Sequence, residues 1–545
     1  MTAEIDAHTL KSWLSDGGEI ALLDVREPGQ FGEAHPFFAV PLPYSRFELG
    51  LWELVPNPAA RVVLCDAGDG VAERAAKRAQ EMGYGNLHVL KGGAPAWGRA
   101  GYTLYAGVNV PSKTFGELVE HQRHTPRVTA KELQAMREAS ENMVIVDGRT
   151  PAEYRRMNIP DGISCPNGEL ALRIHDIAPD PRTKIVVNCA GRTRSIIGAQ
   201  TLIDFGVPNP VVALENGTQG WFLAGLELER GADRHYSDEV SAAGLDARRS
   251  RARAFATKHG AEFVDANKVR AWRADKTRTT YLLDVRTETE HQARRVGGFR
   301  HAPGGQLIQA TDQWIGVKGA RLVLLDGELV RAPMVAGWLR QLGHEAYVLE
   351  EGASSAADTI LDLQEGTVIS ARIASDDGED DVDPPQEAGT PSDAGPMTPK
   401  ELAAALAAGT AQVIDLRPSM EFRKGHIPGA VWSIRPRVVA AAERNKTIVV
   451  IFGEVEHTVF AGMELLEAGF RDVRDLRGGF KAWRDAGLPV EATPNNPPDA
   501  ECVDFLFFTA RRHENDADAA RQYLAWETGL LAQLDEQERG VFRIS

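Results

Sequence analysis

Cysteine is scarce in this chain: 545 residues contain four, at Cys65, Cys165, Cys189 and Cys502. Their spacings match neither a zinc site nor a disulfide framework, so no metal and no cofactor are expected. A reducing, cytoplasmic setting fits that usage. Long apolar runs are missing too; no stretch approaches the roughly 18 residues of a membrane span. The opening residues, Met1 to Asp6, lack the basic start and apolar run of a signal peptide. Positive charge is in deficit, with a net charge of −16, which argues against general binding of nucleic acid or anionic membrane. Hydrophobic content of 43% and charged content of 25% are those of a soluble globular protein. This length suggests on the order of three to five domains.

What the chain has is repetition. An apolar strand ending in Asp-x-Arg occurs four times, at Asp24-Val25-Arg26, Asp147-Gly148-Arg149, Asp284-Val285-Arg286 and Asp415-Leu416-Arg417. Each copy is followed by a second apolar strand, then by a helix that stops at a glycine: Gly83, Gly206, Gly343 and Gly469. The Asp-to-glycine distance is 59 residues in the first three copies and 54 in the fourth. A third strand comes next, and three copies then carry a glycine and a tryptophan, Gly93 with Trp97, Gly217 with Trp221 and Gly479 with Trp483. The third copy has Glu351-Gly352-Ala353 and no tryptophan. Short apolar strands alternating with helices predict an α/β fold, a parallel sheet covered on both faces. Each unit of roughly 110 residues is long enough for its own core. The chain therefore reads as four similar α/β domains in a row, at 1–108, 124–232, 258–362 and 397–494. An acidic, Pro/Gly-rich stretch at 375–396 reads as a disordered linker, and 240–258 as a helix. A tail at 497–545 has an apolar start, Val503 to Phe508, and a helical pattern over 516–539. It either packs on a neighbouring domain or joins two copies of the chain as a homodimer; the pattern leaves both open.

Chemistry concentrates in one place. In the second domain the strand Lys184–Asn188 runs into Cys189-Ala190-Gly191-Arg192-Thr193-Arg194-Ser195, and a helix pattern from Ile196 runs out. Such a turn points successive amides inward, at a helix N-terminus carrying partial positive charge. With two arginines beside it, a cysteine there is expected to have a lowered pKa and to act as a nucleophile. The repeats supply a test. Cys189 lies 42 residues after Asp147 and 17 before Gly206; both counts land on Asp66 in the first copy and on Asp326 in the third. In the fourth, counting back from Gly469 lands on Phe452. Sulfur stands at the loop's first position in the second copy alone. Cys65 sits one residue earlier, at the end of a buried strand and beside two acids, and reads as a core residue. Cys165, expected near a strand start, and Cys502 in the tail read the same way. Arg173 and His175 lie either at the pocket rim or on an ordinary surface helix.

These residues resemble the rhodanese family, the thiosulfate sulfurtransferases. The resemblance covers nearly the whole chain and rests on three elements. They are the Asp-x-Arg strand end, the segments Glu153 to Gly162 and Glu421 to Gly429 (a Glu-aromatic start and an Ile-Pro near the end), and the Cys-x4-Arg-Ser loop. It implies four rhodanese-like domains with one intact active site. Cys189 would be the nucleophile that takes a sulfane sulfur from a small anionic donor such as thiosulfate. It would pass that sulfur as a persulfide to cyanide, a thiol or a protein thiol. Ala190, Gly191, Arg192, Thr193, Arg194 and Ser195 would bind substrate, their amides cradling the persulfide. Arg192 and Arg194 would favour the thiolate and the anionic donor, and Ser195 would cap the helix. Asp147 and Arg149 would fix the loop through a salt bridge or hydrogen bonds. Two other readings stand beside it. One is a cysteine-based phosphatase, although the loop here is one residue shorter than the Cys-x5-Arg such enzymes use. The other is a non-catalytic sulfur-binding or scaffolding protein in which the three domains without the cysteine matter most.

Overall fold

A computed structural model describes residues 2–353, 395–453, 455–510, 512 and 516–544. Residues 375–394 of the expected linker, and 354–362 of the expected third domain, lie outside the described residues. Four parallel sheets are present, one per repeat. In the second domain the spatial order is Arg127–Val128, Val211–Leu214, Lys184–Asn188, Met143–Asp147, Ile163–Ser164. The first and third domains repeat this five-stranded order. The fourth has four strands, and Met397 bridges Leu476 where the others have a fifth. The central strands are apolar throughout because helices cover both faces: Ile185, Val186 and Val187 are fully buried.

The repeated residues are structural devices. Each Asp-x-Arg forms a buried ion pair at 2.6 or 2.7 Å. The same arginine donates to the last carbonyls of the short helix that follows, at Ala34 (2.7 Å), Arg294 (2.7 Å) and Gly425 (2.8 Å) in three copies and at Met157 in the second. It thus ties the strand end to an otherwise unpaired helix terminus. Trp97, Trp221 and Trp483 are buried, and each indole donates to a carbonyl six residues on: Thr103, Glu227 and Pro489. The glycines closing the four helices all have positive φ, between 78° and 94°.

The four domains are not separate beads. Helical faces of the first three share one apolar cluster that includes Phe47, Phe115, Ile197 and Trp338. Its middle is the connector helix Val110–Arg123, buried along most of its length. Polar bonds cross the boundaries: Trp338 donates to Thr201 (2.9 Å) and Tyr44 to Glu464 (2.5 Å). Fully buried Arg331 of the third domain reaches Glu169 of the second at 3.0 Å. The tail packs on its own chain. It crosses the first domain at Gly29, whose amide donates to Val503 (2.8 Å), and then forms the tail helix Ala517–Gly529, followed by the short turns Leu530–Gln533 and Glu536–Arg539. The tail helix lies against the connector helix and the helix Gly217–Leu223.

Candidate active site

The loop helix spans Thr193–Phe205, with Arg192 at its N-cap position. It starts earlier than the apolar pattern from Ile196 suggests, because Thr193, Arg194 and Ser195 form its first turn. Ser195 is therefore inside the helix rather than its cap; its hydroxyl donates to the Arg192 carbonyl at 2.8 Å. Cys189 follows the central strand and is 1% exposed. Its carbonyl accepts from the Thr218 amide (2.8 Å), and that of Ala190 from the Gln219 amide (3.1 Å). Asn167 donates to the Arg194 carbonyl at 2.8 Å. Asn188 bonds Asp147 at 2.8 Å, so the Asp147–Arg149 pair holds the strand end from which the loop departs.

Electrostatics at the loop depart from the sequence expectation. Arg192 turns to the connector helix, pairing with Glu117 at 2.7 and 2.9 Å and with Glu120. Arg194 is held by both oxygens of Glu153, at 2.6 and 2.7 Å. Glu153 stays ionised: burial opposes this, but Arg194 and then Arg149 hold it well below the usual carboxylate range. A further carboxylate, Glu527 of the tail helix, accepts from the Thr193 hydroxyl at 2.7 Å and lies 3.6 Å from Lys113. The positive cradle is thus largely neutralised. Burial pushes the Cys189 thiol up; Arg194 and the Ser195 hydrogen bonds pull it down, and Glu527 pushes it up again, leaving it above its ordinary value. Burial drives Cys65 and Cys165 well above theirs, and Cys65 is pushed further by Asp24.

The other loops show what this turn binds. In the first domain the Asp66 carboxylate accepts from the amides of Gly68 (2.8 Å), Gly70 (3.1 Å) and Ala72 (3.1 Å). In the third, Asp326 accepts from Leu329 (3.0 Å), Val330 (3.1 Å) and Arg331 (2.9 Å). Each carboxylate fills its own ring of amides. Phe452 of the fourth domain is half-buried and packs against that domain's core. Cys165 directly follows the short strand Ile163–Ser164, at its end rather than its start, in the core. Cys502 is buried in the tail. Arg173 is on neither a pocket rim nor a surface helix: it is buried and donates to Ser237 at 3.0 Å, while His175 is half-buried against Phe205.

Glu117, Glu120, Gln219, Tyr523 and Glu527 are the loop's neighbours that the sequence reading missed. Glu153 was legible. It lies six residues after Asp147, as Glu290 lies six after Asp284, and Glu290 pairs at 2.6 Å with Arg331, which stands where Arg194 stands. The first copy has neither partner, carrying Gln30 and Val71 instead. Among the described residues no cluster of three His, Cys, Asp or Glu is placed to hold a metal, and no helix is long and apolar enough to cross a membrane.

Comparison with known proteins agrees with this architecture. The family model of the rhodanese-like domain matches residues 6–100, 129–224, 265–358 and 398–486. A crystal structure of a thiosulfate sulfurtransferase from Pseudomonas aeruginosa superposes with a TM-score of 0.85 at 41% identity, covering 99% of each chain. Single-domain relatives include a sulfurtransferase of Allochromatium vinosum, 30% identical over 19% of this chain and 97% of its own length. Another is the thiosulfate sulfurtransferase GlpE of Shewanella oneidensis, 33% identical over 14% of this chain and 81% of its own. With four copies of its domain in one polypeptide and sulfurtransferases among its relatives, the chain belongs to the rhodanese family.

Proposed function

We propose that the second domain transfers a sulfane sulfur through Cys189, from thiosulfate or a similar donor to a thiol or cyanide. The observation that carries this reading is the filled amide ring of Asp66 and of Asp326. The same turn holds an anion in two sister domains, and in the second domain sulfur occupies that position. The Cys189 thiolate attacks the outer sulfur of the donor. The donor's S–S bond breaks, sulfite leaves with the electron pair, and Cys189 carries a persulfide. The amides from Gly191 to Ser195 are suited to hold its negative charge, as their counterparts hold a carboxylate. Arg194, anchored by Glu153, is the cation that pulls the Cys189 thiol down. Its role is to stabilise the thiolate and the persulfide. Arg192, bound to Glu117 and Glu120, positions the loop against the connector helix.

Intact-mass spectrometry after incubation with thiosulfate tests this. Wild type is expected to gain one sulfur, to lose it on adding cyanide or a thiol, and Cys189→Ser to gain none. No adduct with any sulfane donor would overturn the reading, and an adduct on Cys189→Ser would move the chemistry to another cysteine.

A further inference from the structure

The wall opposite Gly191 is built from polar atoms that the fold itself leaves unpaired. Glu527 and Gln219 are 1% and 3% exposed. Glu527 uses one carboxylate oxygen on Thr193, and its Oε2 has no hydrogen-bond partner. Neither the Oε1 nor the Nε2 of Gln219 has one. Two of these atoms face the loop at one point: a Cβ placed on Gly191 would lie 3.1 Å from Glu527 Oε2 and 3.8 Å from Gln219 Nε2, with the Tyr523 ring between them in distance at 3.4 Å. A buried polar group left unsatisfied is costly, so unpaired atoms of two buried side chains beside a reactive loop mark a place where a ligand supplies the bonds.

Their chemistry specifies that ligand. Two acceptors and one donor suit a group rich in N–H. The local charge agrees. Arg192 and Arg194 are committed to Glu117, Glu120 and Glu153, and Lys113 stands between Glu527, at 3.6 Å, and the Tyr523 hydroxyl, to which it donates. Burial opposes ionisation of Glu527, but Lys113 and the Thr193 hydroxyl hold its carboxyl below the usual range. Arg512, over the Tyr523 ring, also lowers it; the preference therefore comes from the Glu527 oxygen left without a partner, which accepts from an ammonium and repels a carboxylate. We infer that Glu527 and Gln219 form an acceptor subsite beside Cys189 that selects aminothiols, carrying an ammonium near the thiol, over thiols that carry a carboxylate.

This inference rests on the persulfide reading. The acceptor thiolate attacks the outer sulfur of the Cys189 persulfide. The bond from that sulfur to Sγ breaks, its electron pair returns to Sγ as thiolate, and the acceptor departs as its own persulfide. The thiol proton goes to solvent, and no external oxidant or reductant is consumed.

The test separates the two claims. Protein loaded with thiosulfate and freed of excess donor is mixed with cysteamine, 2-mercaptoethanol or mercaptoacetate, and persulfide loss is followed by mass at equal thiolate concentrations. Cysteamine should exceed mercaptoacetate at least tenfold in wild type. Glu527→Gln keeps an oxygen for Thr193 and should shrink that ratio tenfold or more, with 2-mercaptoethanol changed less than threefold; Gln219→Leu should slow cysteamine most. Equal wild-type rates for the three thiols, or a ratio unmoved by Glu527→Gln, overturn the subsite while the persulfide stands. Should Glu527→Gln fail to fold, the wild-type series decides alone. A chain that never loads sulfur overturns both.

Discussion

Four glycines occupy the same place in the four domains and have nearly the same φ: 59° at Gly93, 53° at Gly217, 57° at Gly352 and 58° at Gly479. Alanine at any of them meets the same left-handed penalty, about 1–2 kcal/mol. What differs is the room above. A Cβ on Gly217 would lie 2.1 Å from the Cys189 carbonyl oxygen and 2.9 Å from the Ala190 carbonyl carbon. On Gly479 the nearest atom, the Phe452 carbonyl oxygen, is 3.8 Å away. Gly217→Ala must therefore push the Cys189 loop by about 1 Å to reach ordinary contact. That shift breaks the two bonds from the Thr218 and Gln219 amides, each worth about 1 kcal/mol. Gly217→Ala is expected to cost about 3–4 kcal/mol and Gly479→Ala about 1–2 kcal/mol. A displacement of this size at a reacting atom slows chemistry on the order of 100-fold. Sulfur loading of Cys189 and thermal melting, measured on both variants, give the comparison. If Gly217→Ala loads at the wild-type rate, or if the two variants lose equal stability, the close approach of Gly217 to the loop does not set its geometry.

Two further expectations concern His35, which is buried, and Trp526, which is half-buried. Burial pushes the His35 imidazole from an ordinary 6.5 down to about 3, against the pull of the Phe31 carbonyl. Above pH 6.5 both native and unfolded states are neutral there; as pH falls toward 3 only the unfolded state takes the proton, so stability is lost across that window, by up to about 5 kcal/mol. His35→Asn, the side chain its counterpart Asn158 uses, should lose less melting temperature between pH 7 and 4.5, and an equal loss would refute the assignment. Trp526 clamps the tail: its ring would lie 2.2 Å from a Cβ on Gly107, and its indole donates to Ala106 at 3.1 Å. Trp526→Ala should loosen the tail helix, at a cost of about 3–5 kcal/mol, and speed iodoacetamide alkylation of Cys189 at least tenfold with the circular dichroism little changed. Unchanged alkylation would mean that the tail does not screen the loop.

Four parallel α/β domains and the place of Cys189 were legible because the signals are local. Apolar runs make buried strands, a glycine stops each helix, and each Asp-x-Arg closes its pair within two residues. Counting between these landmarks was enough to align the loops and to find Asp66 and Asp326 where Cys189 stands. Local reading failed where a side chain's partner is remote. Arg192 and Arg194 looked like a free positive cradle, yet the carboxylates that neutralise them lie on other elements. Arg173 looked like surface or rim and is buried against Ser237, since the helix carrying it is covered by its neighbours.

By itself, then, the sequence determined the repeated frame and which of its four loops carries sulfur, since strand, turn and helix each form from contacts within a few tens of residues. Only the tertiary structure decided what surrounds that sulfur. Glu117 reaches Arg192 across 75 residues and Glu527 reaches Thr193 across 334, and both arrive through helices that belong to no single domain. Charge at a buried site is the sum over whatever packs against it, and packing across domain boundaries is fixed by shared apolar surface such as that of Phe115 and Trp338, which no pattern inside one repeat encodes.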